Sequence, residues 1–323
     1  MTAKMNRRTL ISALTVGGLV AATGANAKAK PSRPFFERIN QPIGLQLYAL
    51  GDAPAQDLEG TFHKVAAIGY REIEFSSLYG HDAKFVRAAA DRAGLSLTCF
   101  HLQSAGNGGT GPLTLDSDPQ HIADTMGILG IKKTVMPIFL FPQGFNPGPG
   151  NEAFLKAMFQ ALPAAGQGIW KRTAALLNDR AAKLQPHGIT LGYHNHGFEF
   201  APIGGTNGWQ ILTQETDPAL VDFELDIGWL GSAGVDPLPF LRRYGKRIKQ
   251  LHVKDILPPQ SDDPALAMSP TQVGDGILDW ARILPASVEL GVQHFYVEQE
   301  PPFAIPRIEA ITRSYNYLAR LCA

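Results

Sequence analysis

The chain has 323 residues, with 29 Lys+Arg against 29 Asp+Glu and 45% apolar residues. It is too long for a small stapled module and has enough apolar material for one large α/β domain. Its two cysteines, Cys99 and Cys322, exclude a disulfide framework, and the lack of a basic excess removes the electrostatic footprint of a nucleic-acid binder.

Residues 1–27 read as an export signal. Lys4, Arg7 and Arg8 form a basic start, residues 10–22 an apolar run, and Ala25-Asn26-Ala27 a small-x-small cleavage site. The adjacent arginines of "NRRTLIS" resemble a twin-arginine signal. The apolar run is short for a bilayer span, so no stable membrane insertion is expected after cleavage; an uncleaved anchor is the alternative. Cleavage after Ala27 removes three of the 29 basic residues and no acidic one, leaving a balance of −3. The expected partner is the twin-arginine translocation machinery, which carries folded proteins, and the expected location is the periplasm.

Residues 28–42 read as a Pro-rich leader and residues 43–323 as a single domain. Within it, short β-rich runs alternate with longer amphipathic stretches. The runs are "IGLQLY" (43–48), "REIEF" (71–75), "LSLTCFHL" (95–102) and "KKTVMPIF" (132–139). They continue with "ITLGYHN" (189–195), "LVDFELDI" (220–227), "RIKQLHVKD" (247–255) and "HFYVEQE" (294–300). Helical patterns separate them, as in residues 57–69, 83–94 and 170–188, and several stop at a glycine just before the next strand: Gly69, Gly94, Gly130 and Gly188. Eight β-then-α units predict an α/β fold, a single (β/α)8 TIM barrel. A doubly wound sheet is the alternative, but no Gly-rich phosphate fingerprint follows the first strand. Residues 139–168 and 257–279 are expected to be long loops over the C-terminal face, where lids and binding loops lie.

A barrel brings the C-terminal ends of its strands to one mouth. Those ends carry Glu74, His101, His194, Asp226, His252 and Glu298. Two histidines and two carboxylates from strands five to eight make a mixed O/N set, suited to one divalent ion, Mn²⁺, Co²⁺, Zn²⁺ or Mg²⁺. In "YHNHGFEF" (193–200), His194 and His196 lie two apart, and alternate strand residues point the same way. Glu298 lies in an apolar strand, where an unpaired carboxylate is costly and an ion is the economical partner.

Taken together, "GYREIEF" (69–75), "YHNHGFEF" (193–200), "ELDIGWLGSAGVDP" (224–237), "HVKD" (252–255), "VGDGILDW" (273–280) and "YVEQE" (296–300) resemble the xylose isomerase-like barrels known as sugar phosphate isomerases/epimerases. The resemblance covers the chain after the leader. It implies that Asp226, His252 and Glu298 bind a divalent metal. His194 stands before Asn195 where many relatives carry Glu, and remains a ligand candidate because neutral imidazole binds the same metals.

The implied chemistry is isomerisation or epimerisation of a sugar or keto-sugar by proton removal next to a carbonyl, aided by the ion as a Lewis acid. Glu298 or Glu199 is the expected base, and His101 or Lys254 is expected to move protons or steady charge. Glu74, His196 and Trp229 are expected to face a small carbohydrate substrate, with Phe141 as a further apolar wall. Losing the strand-five carboxylate favours a lyase alternative, elimination from an oxidised (3-keto) glycoside. Two rivals share the fold: a metal-dependent endonuclease for abasic DNA, disfavoured by the acidic mature chain, and a periplasmic sugar-binding protein without chemistry.

Overall fold

Alternation along each β-rich run decides which side chains enter the barrel. The computed structural model describes residues 33–108, 113–259, 261 and 267–323, so the export signal of residues 1–27 lies outside the described residues. Eight parallel strands form: β1 (Gly44–Gln46), β2 (Glu72–Phe75), β3 (Ser96–His101), β4 (Lys133–Met136), β5 (Thr190–His194), β6 (Val221–Asp226), β7 (Ile248–Val253) and β8 (His294–Val297). They close into a barrel in the order β1-β8-β7-β6-β5-β4-β3-β2. At the closing seam Gly44 lies opposite Tyr296. A Cβ on Gly44 would come within 2.5 Å of the tyrosine ring, so only glycine lets the two strands meet there.

Strand β6 shows the logic. Val221, Phe223 and Leu225 join the apolar core shared with the helices, whereas Asp222, Glu224 and Asp226 point to the barrel axis. The axis is therefore layered. Near the N-terminal ends Lys133 pairs with Asp222 and His294 Nδ1 lies 2.9 Å from Glu72. Cys99, Val135 and Tyr296 form a small apolar cluster separate from the main core. The C-terminal layer, at the strand ends, is a network of carboxylates and imidazoles.

Helices cover the outside. Leu58–Ile68, Ala83–Ala93 and Pro119–Leu129 are capped by Asp57, Asp82 and Asp118, which accept from backbone N–H groups of the first turn. They end at Gly69, Gly94 and Gly130, all at positive φ, as the sequence pattern predicts. Among the described residues no helix is long and apolar enough to cross a membrane.

The strand positions agree with the sequence reading, but two connections differ. Residues 139–168 are not one loop: a helix spans Asn151–Leu184, kinked at Gly166 and carrying Pro163 inside. Leu155, Met158 and Leu162 bury at helical spacing and hold its first half, a periodicity obscured by the density of Gly and Pro. Within 257–279, Pro270–Thr271 pairs with Asp255–Ile256 as a short antiparallel ribbon. The leader also packs: Phe35 and Phe36 in the helix Phe35–Ile39 are buried, and the Phe35 N–H donates to Leu321 O at 2.7 Å.

Candidate active site

The strand ends deliver five buried carboxylates to one mouth: Glu74 from β2, Glu224 and Asp226 from β6, and Glu298 and Glu300 at and beyond the end of β8. Cations and imidazoles interleave them. His252, on β7, touches carboxylates through both ring nitrogens. Its Nδ1 lies 2.9 Å from Glu298 Oε2 and 3.6 Å from Asp226 Oδ2, while its Nε2 lies 2.6 Å from Glu74 Oε1. Glu224 Oε2 sits among three rings, 2.9 Å from His101, 3.2 Å from His194 and 3.1 Å from His252. Lys254, fully buried, places Nζ 2.8 Å from Asp226 Oδ2, 2.8 Å from Glu298 Oε2 and 2.7 Å from Glu300 Oε1.

These contacts set the charges. Burial alone would suppress charge on His101, but Glu74 and Glu224 outweigh it and push the imidazole up to about 10. Burial opposes the charge of Glu298 too, yet Lys254 and His252 hold it well below the usual carboxylate range. Asp226 is likewise lowered by Lys254 against its burial, and the three carboxylates around Lys254 hold its ammonium well above the ordinary value despite burial. His196 is the opposite case: burial, with His194 and Lys254 nearby, keeps it neutral.

Asp226 has two roles in one side chain. Oδ1 accepts the Trp229 N–H at 2.8 Å and caps the helix Ile227–Ser232. Oδ2 is turned inward, with Lys254 Nζ at 2.8 Å, and His194 Nδ1 faces Glu224 Oε2 at 3.2 Å. One ligand atom each from His194, Asp226 and His252 lies within 4.8 Å of the others, with Glu298 Oε2 beside His252 Nδ1. Buried, convergent and mixed in N and O, this donor set fits a divalent ion.

A cavity of about 390 Å³ opens over these residues, within the range of small-molecule sites. His101, His194, His196, Trp229, Glu298 and Phe141, all singled out in the sequence, line it. Glu74, Asp226, His252 and Lys254 lie in the network beneath. Glu199 reaches neither. Tyr193 OH and the His196 N–H donate to its two oxygens, and it braces the turn after β5 while fully buried. Burial pushes its carboxyl up to about 7 against those hydrogen bonds.

Three residues that the strand-end reading passes over belong to the site. Glu224 lies two positions before Asp226, and Glu300 two after Glu298, so strand alternation marks both. Gln46, the last residue of β1, donates to Glu74 Oε1 at 2.9 Å. Glu300 lines the cavity and receives both Lys254 Nζ and the Trp229 indole N–H, the latter at 3.0 Å, on Oε1, which leaves Oε2 for a ligand. Asp255, also in a quoted motif, is structural: it accepts from Ile256 N, Gly274 N and Trp280 Nε1, each at 2.9 Å.

Among known proteins, the chain is similar to an inosose dehydratase of Lacticaseibacillus casei, 30% identical over 176 residues. That alignment covers 50% of this chain and spans 58% of the relative's length. An inosose dehydratase of Geobacillus thermodenitrificans is 24% identical over 298 residues, 87% of this chain and 95% of its own. The crystal structure of a sugar phosphate isomerase/epimerase from Parabacteroides distasonis has a TM-score of 0.66, with 22% identity, covering 93% of this chain and 98% of that one; at this identity it speaks for the fold alone. Residues 62–321 match the family described as xylose isomerase-like TIM barrel. With the closed eight-stranded parallel barrel, this match establishes that the chain belongs to the xylose isomerase-like TIM barrel family.

Proposed function

We propose that the chain is a divalent-metal-dependent enzyme that isomerises or epimerises a sugar or keto-sugar by removing a proton next to a carbonyl. One observation carries this: His194, Asp226, His252 and Glu298 converge at the floor of a cavity that a separate carboxylate, Glu300, also lines. The four convergent residues would hold the ion, which when bound supplies a Lewis acid for the substrate carbonyl.

The other residues do the proton work. Glu300 Oε2 is the base that faces the substrate, with the side chain fixed by Lys254 and Trp229 through Oε1. His101 borders the cavity as a cation held by Glu74 and Glu224, placed to steady negative charge developing on a substrate oxygen. Lys254 positions Glu298, Asp226 and Glu300 from below.

The lyase alternative has its own support. With His194 in place of a carboxylate, Glu300 is the one cavity-lining carboxylate outside the ligand set among the described residues. A single base suits loss of a proton and a β-substituent better than proton return to the opposite face, and two relatives carry the name dehydratase. Export by the twin-arginine route to the periplasm is proposed on the residues 1–27 pattern.

The experiment is incubation of metal-loaded protein with keto-sugars and 3-keto-glycosides in D₂O, following both deuterium uptake and products. Exchange, isomer or eliminated product at the carbon beside the carbonyl is expected. A broad panel that binds and gives neither would leave a sugar-binding protein in place of an enzyme.

A further inference from the structure

From the charge of the cavity we infer that the substrate is an uncharged carbohydrate and not a phosphate ester, a conclusion that rests on the carbohydrate reading above. Among the described lining residues there is no lysine or arginine. Two carboxylates, Glu298 and Glu300, do line the cavity. The lysine nearest this chemistry, Lys254, is matched by three carboxylates, and His101 by two.

Phosphate in such barrels is usually held by the loops after strands seven and eight, through backbone N–H groups and helix N-termini. Here those places are taken. In the glycine-containing turn after β7, the N–H groups of Gly274 and Leu278 point to the Asp255 carboxylate at 2.9 and 3.3 Å, together with the Ile256 N–H and the Trp280 indole. An internal anion occupies the nest that an external one would need. After β8 come Glu298 and Glu300. Arg307, which opens the last helix, donates to Ala49 O at 3.0 Å and lies over the Phe303 ring at 4.3 Å. The long helix that starts at Asn151 reaches the cavity rim, but its first turn already carries Glu152.

What the cavity does offer suits hydroxyl groups. Gln46, Ser76, Gln103 and Asn151 are uncharged polar groups on its wall, and the His196 ring lies beside them. Gln103 Oε1 and His196 Nδ1 are buried without a hydrogen-bond partner, so a bound polyol would satisfy them. Phe141, Phe154 and Trp229 supply apolar faces for the C–H surface of a sugar ring.

The test is calorimetric binding to the full-length protein, using D-fructose, inosose and a methyl 3-keto-glucoside, each against its phosphate monoester. With Glu298 engaged by the ion, repulsion from Glu300 and the lack of a lysine or arginine on the described wall predict that each ester binds roughly tenfold or more weakly than its neutral parent. Gln103→Lys, which adds one cation to the wall, should narrow that gap, with the far-ultraviolet spectrum and melting temperature checking its fold. Esters that bind as tightly as the parents overturn the inference and leave the carbohydrate reading standing, and so does a gap that Gln103→Lys does not change. If no member of any pair binds, the carbohydrate reading falls and this inference falls with it.

Discussion

Glu74 Oε1 on β2 lies 2.6 Å from His252 Nε2 on β7, across the barrel axis. The contact orients the imidazole: with Nε2 held by Glu74, Nδ1 faces Asp226 and Glu298. A carboxylate behind a metal-binding histidine fixes both its tautomer and its direction.

Metal content follows from that arrangement. Asp226→Asn and Glu298→Gln each remove the charge of a proposed ligand and should lower the divalent ion bound per chain, measured by elemental analysis after dialysis. Glu74→Gln should retain the site with an affinity about 10–100-fold weaker, the usual cost of losing such an outer partner. His121→Ala, on an exposed helix position, should have no effect. Equal occupancy in all four variants would refute the ligand set.

Turnover separates the two carboxylates of the β8 end. Glu300→Gln preserves an acceptor for Lys254 and Trp229 but removes the proposed base, so kcat should fall about 10²–10⁴-fold with metal content unchanged. Glu298→Gln should lose turnover and metal together. Full turnover in Glu300→Gln would move the base elsewhere in the mouth.

The period-2 pattern made the barrel legible, because each run such as "VDFELD" offers one apolar face to the helices and one polar face to the axis. The same pattern exposed Asp226, His252 and Glu298 as strand ends. It was less informative where function depends on the residue beyond or before the end. Glu224 and Glu300 share a face with Asp226 and Glu298, but only the folded barrel shows that one gathers three imidazoles and the other lines the cavity. Glu199 shows the converse: its sequence neighbourhood is that of the site, yet the turn after β5 carries its carboxylate back to Tyr193. Long-range contacts, such as that of Lys254 with Glu300, have no local signature.

Export is tested without reference to the barrel. Changing Arg7 and Arg8 to Lys together keeps the positive charge of the segment but removes the twin-arginine pair. Uncleaved precursor should then accumulate in the cytoplasm, read by fractionation and immunoblot. Normal periplasmic delivery of the double variant would show that another route carries the chain.

Glu199 gives a prediction about stability and pH. Burial raises its carboxyl from 4.5 to about 7 in the folded chain, so between those values the folded state holds a proton that the unfolded state has released. Stability from this group is therefore full below about 4.5, falls as pH rises through the window, and levels off above about 7. The shift corresponds to something on the order of 3 kcal/mol across the window. Glu199→Gln cannot titrate: it keeps an acceptor for Tyr193 but places an amide against the His196 N–H, which costs about 1 kcal/mol at every pH. The stability difference between wild type and variant, from urea unfolding at pH 4.5 to 8, should thus favour wild type most at the acid end and shift toward the variant as pH rises. A difference that stays constant across that range would mean that Glu199 is ionised throughout, and that its hydrogen bonds outweigh its burial.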